Sequence, residues 1–311
     1  ELKLTDKIIF TGFLGNKEKE KYILDSSIFI LPSYTESFGL VLIEAMSYGL
    51  PCIAFDSSDG AKELLKNNVG ILVKDRNKEK LKRVEDTLNE FSKNIPVKTY
   101  CADLSNLEEV KTLAENISKN HKNIDVIINN AGIYKTTSPI TKDGFDIRFV
   151  VNTIAPYFLT KLLLPLFNKD SRIINLSSAA QAKVDIDAIK GKVLLNHGEA
   201  YAQSKLALTM FTIVQAQELK NKVSSIISVN PASLLATKMV KEGYGIIGND
   251  ITIGSNILLA MSLDKKFENI KGEYYDNDNN KFALPHPFGQ NIENCKIIVD
   301  TIEEILLAKF E

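Results

Sequence analysis

Tyr201 and Lys205 stand four residues apart in the run YAQSK, a phenol and an ammonium within one helical turn of each other. The surrounding text, HGEAYAQSKLALTMFTIVQAQEL, has helical periodicity, so both side chains fall on one helix face. An ammonium beside a phenol stabilises phenolate, lowers a pKa of about 10, and makes the phenol usable as a general acid and base. Alone the pair is a weak signal, since exposed helix faces often carry Tyr and Lys without chemistry. Its company is more telling: Asp103, the run NNAG at 129–132, Asn152, Ser177-Ser178 and the run NPAS at 230–233.

The elements that must position these residues follow from periodicity. From about residue 76 onward, short apolar runs at 97–104, 124–129, 172–176 and 225–229 alternate with helical segments, which predicts right-handed crossovers and a parallel sheet. Each run ends in small or polar residues, and ligands of open parallel sheets bind outside the carboxyl ends of the strands. Four successive strand ends are therefore expected to line one site. The first part of the chain is α/β as well, with KIIFTG, SIFILPS, PCIAF and VGILV as strands. The fold class expected is α/β, a doubly wound parallel sheet of Rossmann type. PCIAF and VGILV are expected to supply its first two strands, in one continuous sheet with DVIINN.

Composition narrows the functions. The 311 residues carry a net charge of −1 with Lys and Arg interspersed among Glu and Asp, which argues against nucleic acid as a partner. Cys52, Cys101 and Cys295 lie far apart without C-x-x-C spacing and are expected to be reduced, buried thiols of a cytoplasmic protein. Three histidines without ligand spacing give no metal site. No membrane span is expected, because no run approaches about 18 apolar residues. The chain enters the strand KIIFTG almost at Glu1, as a fragment or fusion would.

Asp103, Asn130-Ala131-Gly132, Asn152, Ser178, Tyr201 and Lys205, in this order and spacing, resemble the short-chain dehydrogenase/reductase family over about residues 80–311. Within it the chain is most similar to retinol-dehydrogenase-like members, through the long loop after Ser178 and the tail IKGEYYDNDNNKFALP. The resemblance implies an NAD(P)-dependent oxidoreductase acting on a small carbonyl or alcohol substrate. Tyr201 would be the acid/base, Lys205 would lower its pKa and hold the nicotinamide ribose, Ser178 would orient the carbonyl, and Asn152 would hold a proton-relay water. Asp103 and Leu104 would meet the adenine, Asn130, Ala131 and Gly132 the cofactor ribose, and Pro231 with Thr237 the nicotinamide amide. The family usually has Pro-Gly where this chain has Pro231-Ala232. A homodimer through paired helices is also implied.

The family's opening glycine turn, T-G-x-x-x-G-x-G, is absent, so NADP or NAD is expected to bind weakly and activity to be impaired. Just after VGILV, Asp75 would favour a free ribose hydroxyl and Arg76 a 2′-phosphate; because DRNKEKL resembles the basic pattern of NADP-using members, NADP is favoured over NAD. The formal G-x-G-x-x-G at 243–248 follows NPAS and is expected to be a loop coincidence. In place of the missing turn stands LPSYTESFGLVLIEAMSYGLP, which resembles the donor half of retaining GT-B glycosyltransferases over about residues 7–74. There Glu36 would face a donor sugar, Phe38, Gly39 and Leu40 the diphosphate, and Glu44 the nucleotide ribose. The chain therefore reads as a chimera, residues 1–75 glycosyltransferase-like and 76–311 dehydrogenase-like. Its alternatives to an oxidoreductase are a nucleotide-binding transferase fragment and an inactive hybrid.

Overall fold

The computed structural model describes residues 98–310 continuously and, before them, residues 19–21, 24, 29–31, 46–47, 52–55, 70–73, 85–86 and 89. The chain divides into two compact units, Glu1–Cys101 and Ala102–Glu311.

In the first unit the apolar runs FIL, CIAF and GILV form β1 (Phe29–Leu31), β2 (Cys52–Phe55) and β3 (Gly70–Val73). All pair in parallel in the order β1-β2-β3, with Phe29 opposite Cys52 and Cys52 opposite Gly70. This corrects the expectation of one continuous sheet. β2 takes β1 and β3 as its two neighbours, and among the described residues no strand pair joins this sheet to that of the second unit.

The second unit opens with a correction too. Described residues of the run 97–104 form no strand; Asp103 instead accepts the Ser105 N–H at 2.8 Å and the Ser105 hydroxyl at 2.7 Å, turning the chain into α1 (Leu107–Asn120). Asn106 caps α1, and Leu107, Val110 and Ala114 give it a buried stripe. Then come β4 (Val126–Asn129) and α2 (Ile147–Phe149), which passes through a π turn at Val150–Ile154 into α3 (Ala155–Leu163). They are followed by β5 (Arg172–Leu176), α4 (Ile186–Ile189), α5 (His197–Glu218) and β6 (Ser225–Asn230). The unit closes with α6 (Lys238–Tyr244), α7 (Ile251–Leu263), β7 (Lys271–Asp276), β8 (Lys281–Ala283) and α8 (Ile292–Phe310).

The sheet order is β4-β5-β6-β7-β8, parallel except for β8. Strand alternation divides the core. Ile173 and Ile226 pack with Ala216 of α5 and Leu219 just after it, whereas Ile174 and Ile227 face Ile257 and Met261 of α7. Beyond α5 lies a larger cluster in which Ile298, Ile302 and Ile305 of α8 meet Tyr157 and Phe158 of α3 and Phe211 of α5. Glu303 of α8 takes a hydrogen bond from Tyr157 and an ion pair from Lys161 at 2.6 Å, and Phe310 stacks on Phe158 at 5.1 Å. The helix α8 thus covers α3 and α5.

Two composition-based expectations change. Cys295 is buried but Cys101 is exposed, because the strand expected around it is not formed. The helical run Ile147–Leu166 is long and apolar enough by those measures to cross a bilayer, yet most of it is buried, as fits a core helix.

Candidate active site

Helix α5 starts at Asn196, whose side chain accepts the Glu199 N–H at 2.9 Å. One turn on, it presents Tyr201, and one turn further Lys205. Lys205 is 4% exposed, and its Nζ donates to the carbonyl of Leu176, the last residue of β5, at 2.7 Å. Burial lowers the ammonium's pKa to about 8. That Nζ lies 5.7 Å from the Tyr201 ring centroid. The lowering of the phenol pKa expected from the spacing is not what this geometry gives: burial raises it, and a hydrogen bond with the Ser178 side chain only offsets part of the rise. The ammonium is turned to a carbonyl, and the phenol's own burial sets the direction of its shift.

Asn152 lies in the π turn, where the Ala155 N–H reaches back to the Val150 carbonyl. Such turns displace one residue from the helical register. The completely buried Asn152 side chain accepts the Ile133 N–H at 2.8 Å and donates to the Ile133 carbonyl at 3.0 Å and the Ser204 hydroxyl at 2.9 Å. Both donor hydrogens are thereby used, so the side chain fastens the NNAG loop to α5. Gly132 completes the contact: a Cβ there would stand 3.4 Å from Lys205 Nζ and 3.5 Å from Asn152 Oδ1.

At the end of β5, Ser177 turns inward to the Lys205 carbonyl and Thr209, while half-buried Ser178 faces Tyr201. Tyr274 donates to the Ser178 carbonyl at 3.2 Å, tying β7 to this strand end. At the end of β6, Pro231 and Ala232 are half-buried, and Ala232 has φ 135°, a backbone region that favours glycine. Thr237 accepts the Val240 N–H at 3.3 Å and caps α6. Asn130 and Ala131 are exposed beyond β4, and Leu104 packs against the helical core. Asp103 spends its Oδ1 on the Ser105 turn.

Sequence reasoning missed an aromatic ladder. Tyr134 meets Tyr201 edge-on at 5.2 Å and stacks on Tyr244 at 5.5 Å, so three phenols run from the half-buried Tyr201 ring to one that is 53% exposed. Tyr134 lies two residues after the NNAG run, the only sequence signal for it. The G-x-G-x-x-G at 243–248 has structural work in the same place: a Cβ on Gly243 would be 2.7 Å from the Tyr134 ring, and Gly245 at φ 70° ends α6. Arg76 and the residues Glu36, Phe38, Gly39, Leu40 and Glu44 lie outside the described residues.

The site's chemistry fits half of a dinucleotide. Among the described residues Lys205 Nζ has one partner and therefore two N–H donors to spare beside a residue without a side chain, as a ribose would need.

Comparison with known proteins bears on the family and the fold. The family model for short chain dehydrogenase matches residues 58–244, and that for glycosyl transferases group 1 matches residues 1–94. Human retinol dehydrogenase 13 is 27% identical over 246 residues, 72% of this chain and 74% of that protein. Human polyprenol dehydrogenase is 24% identical over 253 residues, 75% of this chain and 77% of that one. A crystal structure described as a short chain dehydrogenase from Escherichia coli CFT073, complexed with NADPH, shares the fold with a TM-score of 0.52 at 21% identity, covering 82% of this chain and 98% of that one.

Proposed function

The chain belongs to the short-chain dehydrogenase family, and on that premise we propose that it interconverts a carbonyl and an alcohol with a nicotinamide cofactor, Tyr201 exchanging the proton at the substrate oxygen. The observation that carries this reading is the convergence of Tyr201, Ser178 and the buried Lys205 at the end of β5. A phenol whose pKa is raised stays protonated through neutral pH, which suits it to give a proton in carbonyl reduction. Ser178, whose side chain faces that phenol, is placed to share the carbonyl oxygen.

A bound nicotinamide would supply the hydride. Lys205 would hold its ribose with the two spare donors, Gly132 would leave it room, and Pro231 and Thr237 would flank the amide. Asp103, Leu104, Asn130 and Ala131 would serve the adenosine side, and Arg76 would prefer NADP to NAD. Binding is weak in this reading, because the sequence has no glycine turn to bring backbone N–H groups onto a diphosphate.

The substrate class we favour is an apolar alcohol or aldehyde in a reducing, cytoplasmic setting. The outer end of the tyrosine ladder is followed by exposed Ile246 and Ile247, and the relatives named above act on retinol and polyprenol by name. We place the join between the two parents, at residues 75 and 76, inside the stretch 58–94 that both family models match. The match at 1–94 also supports a second reading, a nucleotide-sugar-binding fragment using Glu36, Phe38, Gly39, Leu40 and Glu44.

Turnover of NADPH and NADH with a series of apolar aldehydes, alongside Tyr201→Phe, tests the first reading. Reduction that disappears in the variant while its thermal melt stays put supports it, with NADPH binding tighter than NADH. Equal turnover in the variant overturns it, and saturable binding of a UDP-sugar with none of either dinucleotide favours the second.

A further inference from the structure

Arg148 is a full charge at 1% exposure that the site as described does not use. Two arms of its guanidinium are fixed by Asp146, Nε on Oδ1 at 2.8 Å and Nη2 on Oδ2 at 2.5 Å. The third, Nη1, lies 2.7 Å from Nδ1 of His197. A guanidinium can only donate, so Nδ1 of His197 is the acceptor in this contact. Asp146 is itself fixed, since the same Oδ1 accepts the Arg148 N–H at 2.9 Å and caps α2.

The two ends of this contact belong to the two segments that build the site. Arg148 precedes Asn152 by four residues in the helical run that carries the π turn; His197 is the first residue of α5 and precedes Tyr201 by four. We propose that Arg148 is a positioning residue: through His197 it seats the first turn of α5 against the run that carries Asn152, and so fixes where the Tyr201 phenol stands. Past Tyr201 the same two segments are joined again, by Asn152 Nδ2 to Ser204 Oγ at 2.9 Å and Thr153 Oγ1 to the Ser204 carbonyl at 2.8 Å. The phenol is therefore held between two ties. Without the first, α5 keeps its pivot at Ser204 and its leading turn is free to tilt. Arginine suits the task because one rigid fork serves a carboxylate and a ring nitrogen at once; a lysine would be a point charge beside Asp146.

The inference rests on the reading of Tyr201 as the acid, so the experiment has one arm that needs turnover and one that does not. His197→Phe keeps a ring and the Arg148–Asp146 pair but removes the acceptor; His197→Gln restores an acceptor. In the full chain, kcat and KM for aldehyde reduction would be measured together with amide hydrogen exchange at residues 198–205. The tie predicts that His197→Phe lowers kcat by on the order of 10-fold with KM changed less than about two-fold, because the reacting group is misplaced rather than the binding surface. It also predicts faster exchange in the first turn of α5, with both effects largely reversed in His197→Gln. Arg148→Lys should reproduce the Phe variant. Wild-type kcat and unchanged exchange in His197→Phe would overturn the proposal. Should the wild-type chain turn over nothing, exchange alone decides: faster exchange in His197→Phe upholds the tie and leaves the activity reading to fail by itself, and unchanged exchange overturns the tie.

Discussion

The ammonium of Lys205 donates to the backbone carbonyl of Leu176 at 2.7 Å, not to the phenol four residues before it. A helical residue is thereby bolted to the last residue of the neighbouring strand, and the lysine is buried with no carboxylate partner among its described contacts. Burial alone sets its ionisation.

That has a measurable consequence for stability. Folding lowers the Lys205 pKa from 10.5 to about 8, so between those values the unfolded chain binds more protons than the folded one. The contribution of this group to stability therefore rises with pH across that window and is lost as pH falls through about 8. A shift of this size corresponds to roughly 3 kcal/mol at most. Chemical denaturation of wild type and Lys205→Met on either side of pH 8 checks the sign: the variant's advantage over wild type should shrink as pH rises, and a growing advantage would show that the ammonium is stabilised in the fold.

Ala232 at φ 135° occupies backbone that only glycine adopts without strain. Ala232→Gly should remove that strain, part of it offset by the greater chain entropy of glycine, for a net gain of about 1 kcal/mol. A thermal melt raised by about 2–4 °C would agree with this; a lowered melt would show that the loop relaxes around the alanine.

The two thiols with described side chains should differ sharply in reactivity. Cys101 is exposed, whereas Cys295 is buried, donates to the Gly289 carbonyl at 3.2 Å and has its pKa pushed up to about 11. Alkylation followed by peptide mapping should label Cys101 in the native protein and Cys295 only after denaturation. Labelling of native Cys295 at a similar rate would mean that α8 does not hold its seat.

The cover formed by α8 bears on the helix-pair homodimer. With Ile298, Ile302 and Ile305 seated beside α3 and α5, that face is already occupied by the chain's own helix, and the full chain should be a monomer by light scattering. A chain ending at Gln290 exposes several core side chains worth about 1.5–3 kcal/mol each and should self-associate or precipitate. A dimeric full chain and a well-behaved truncated monomer would together refute this role for α8.

Much of the fold was legible because short apolar runs between helical segments leave few choices. The run 172–176 became β5 with the bounds periodicity suggests, and 225–229 became β6 with one residue more. The described residues of the run 97–104 form no strand, and there Asp103 offers its own carboxylate to the Ser105 N–H, a local turn that competes with any ladder. Of the site, Tyr201 and Lys205 could be read from their spacing, since four residues of helix fix a shared face whatever the surroundings. Arg148 and His197, 49 positions apart, could not, and neither could Tyr134 beneath Tyr244.

The sequence by itself determined which residues lie on which element, and hence the family and the order in which the site's parts arrive along the chain. Local periodicity and turn chemistry act over a few residues and suffice for that. Tertiary structure decided which of those parts touch, and with it the ionisation of the site. The ammonium's choice of a carbonyl over a phenol, the Asn152 side chain's use as a fastener, and the pairing of β2 with both β1 and β3 each depend on groups far apart in the chain competing for one partner. Burial, which sets the cost of each charge, exists only once that competition is settled.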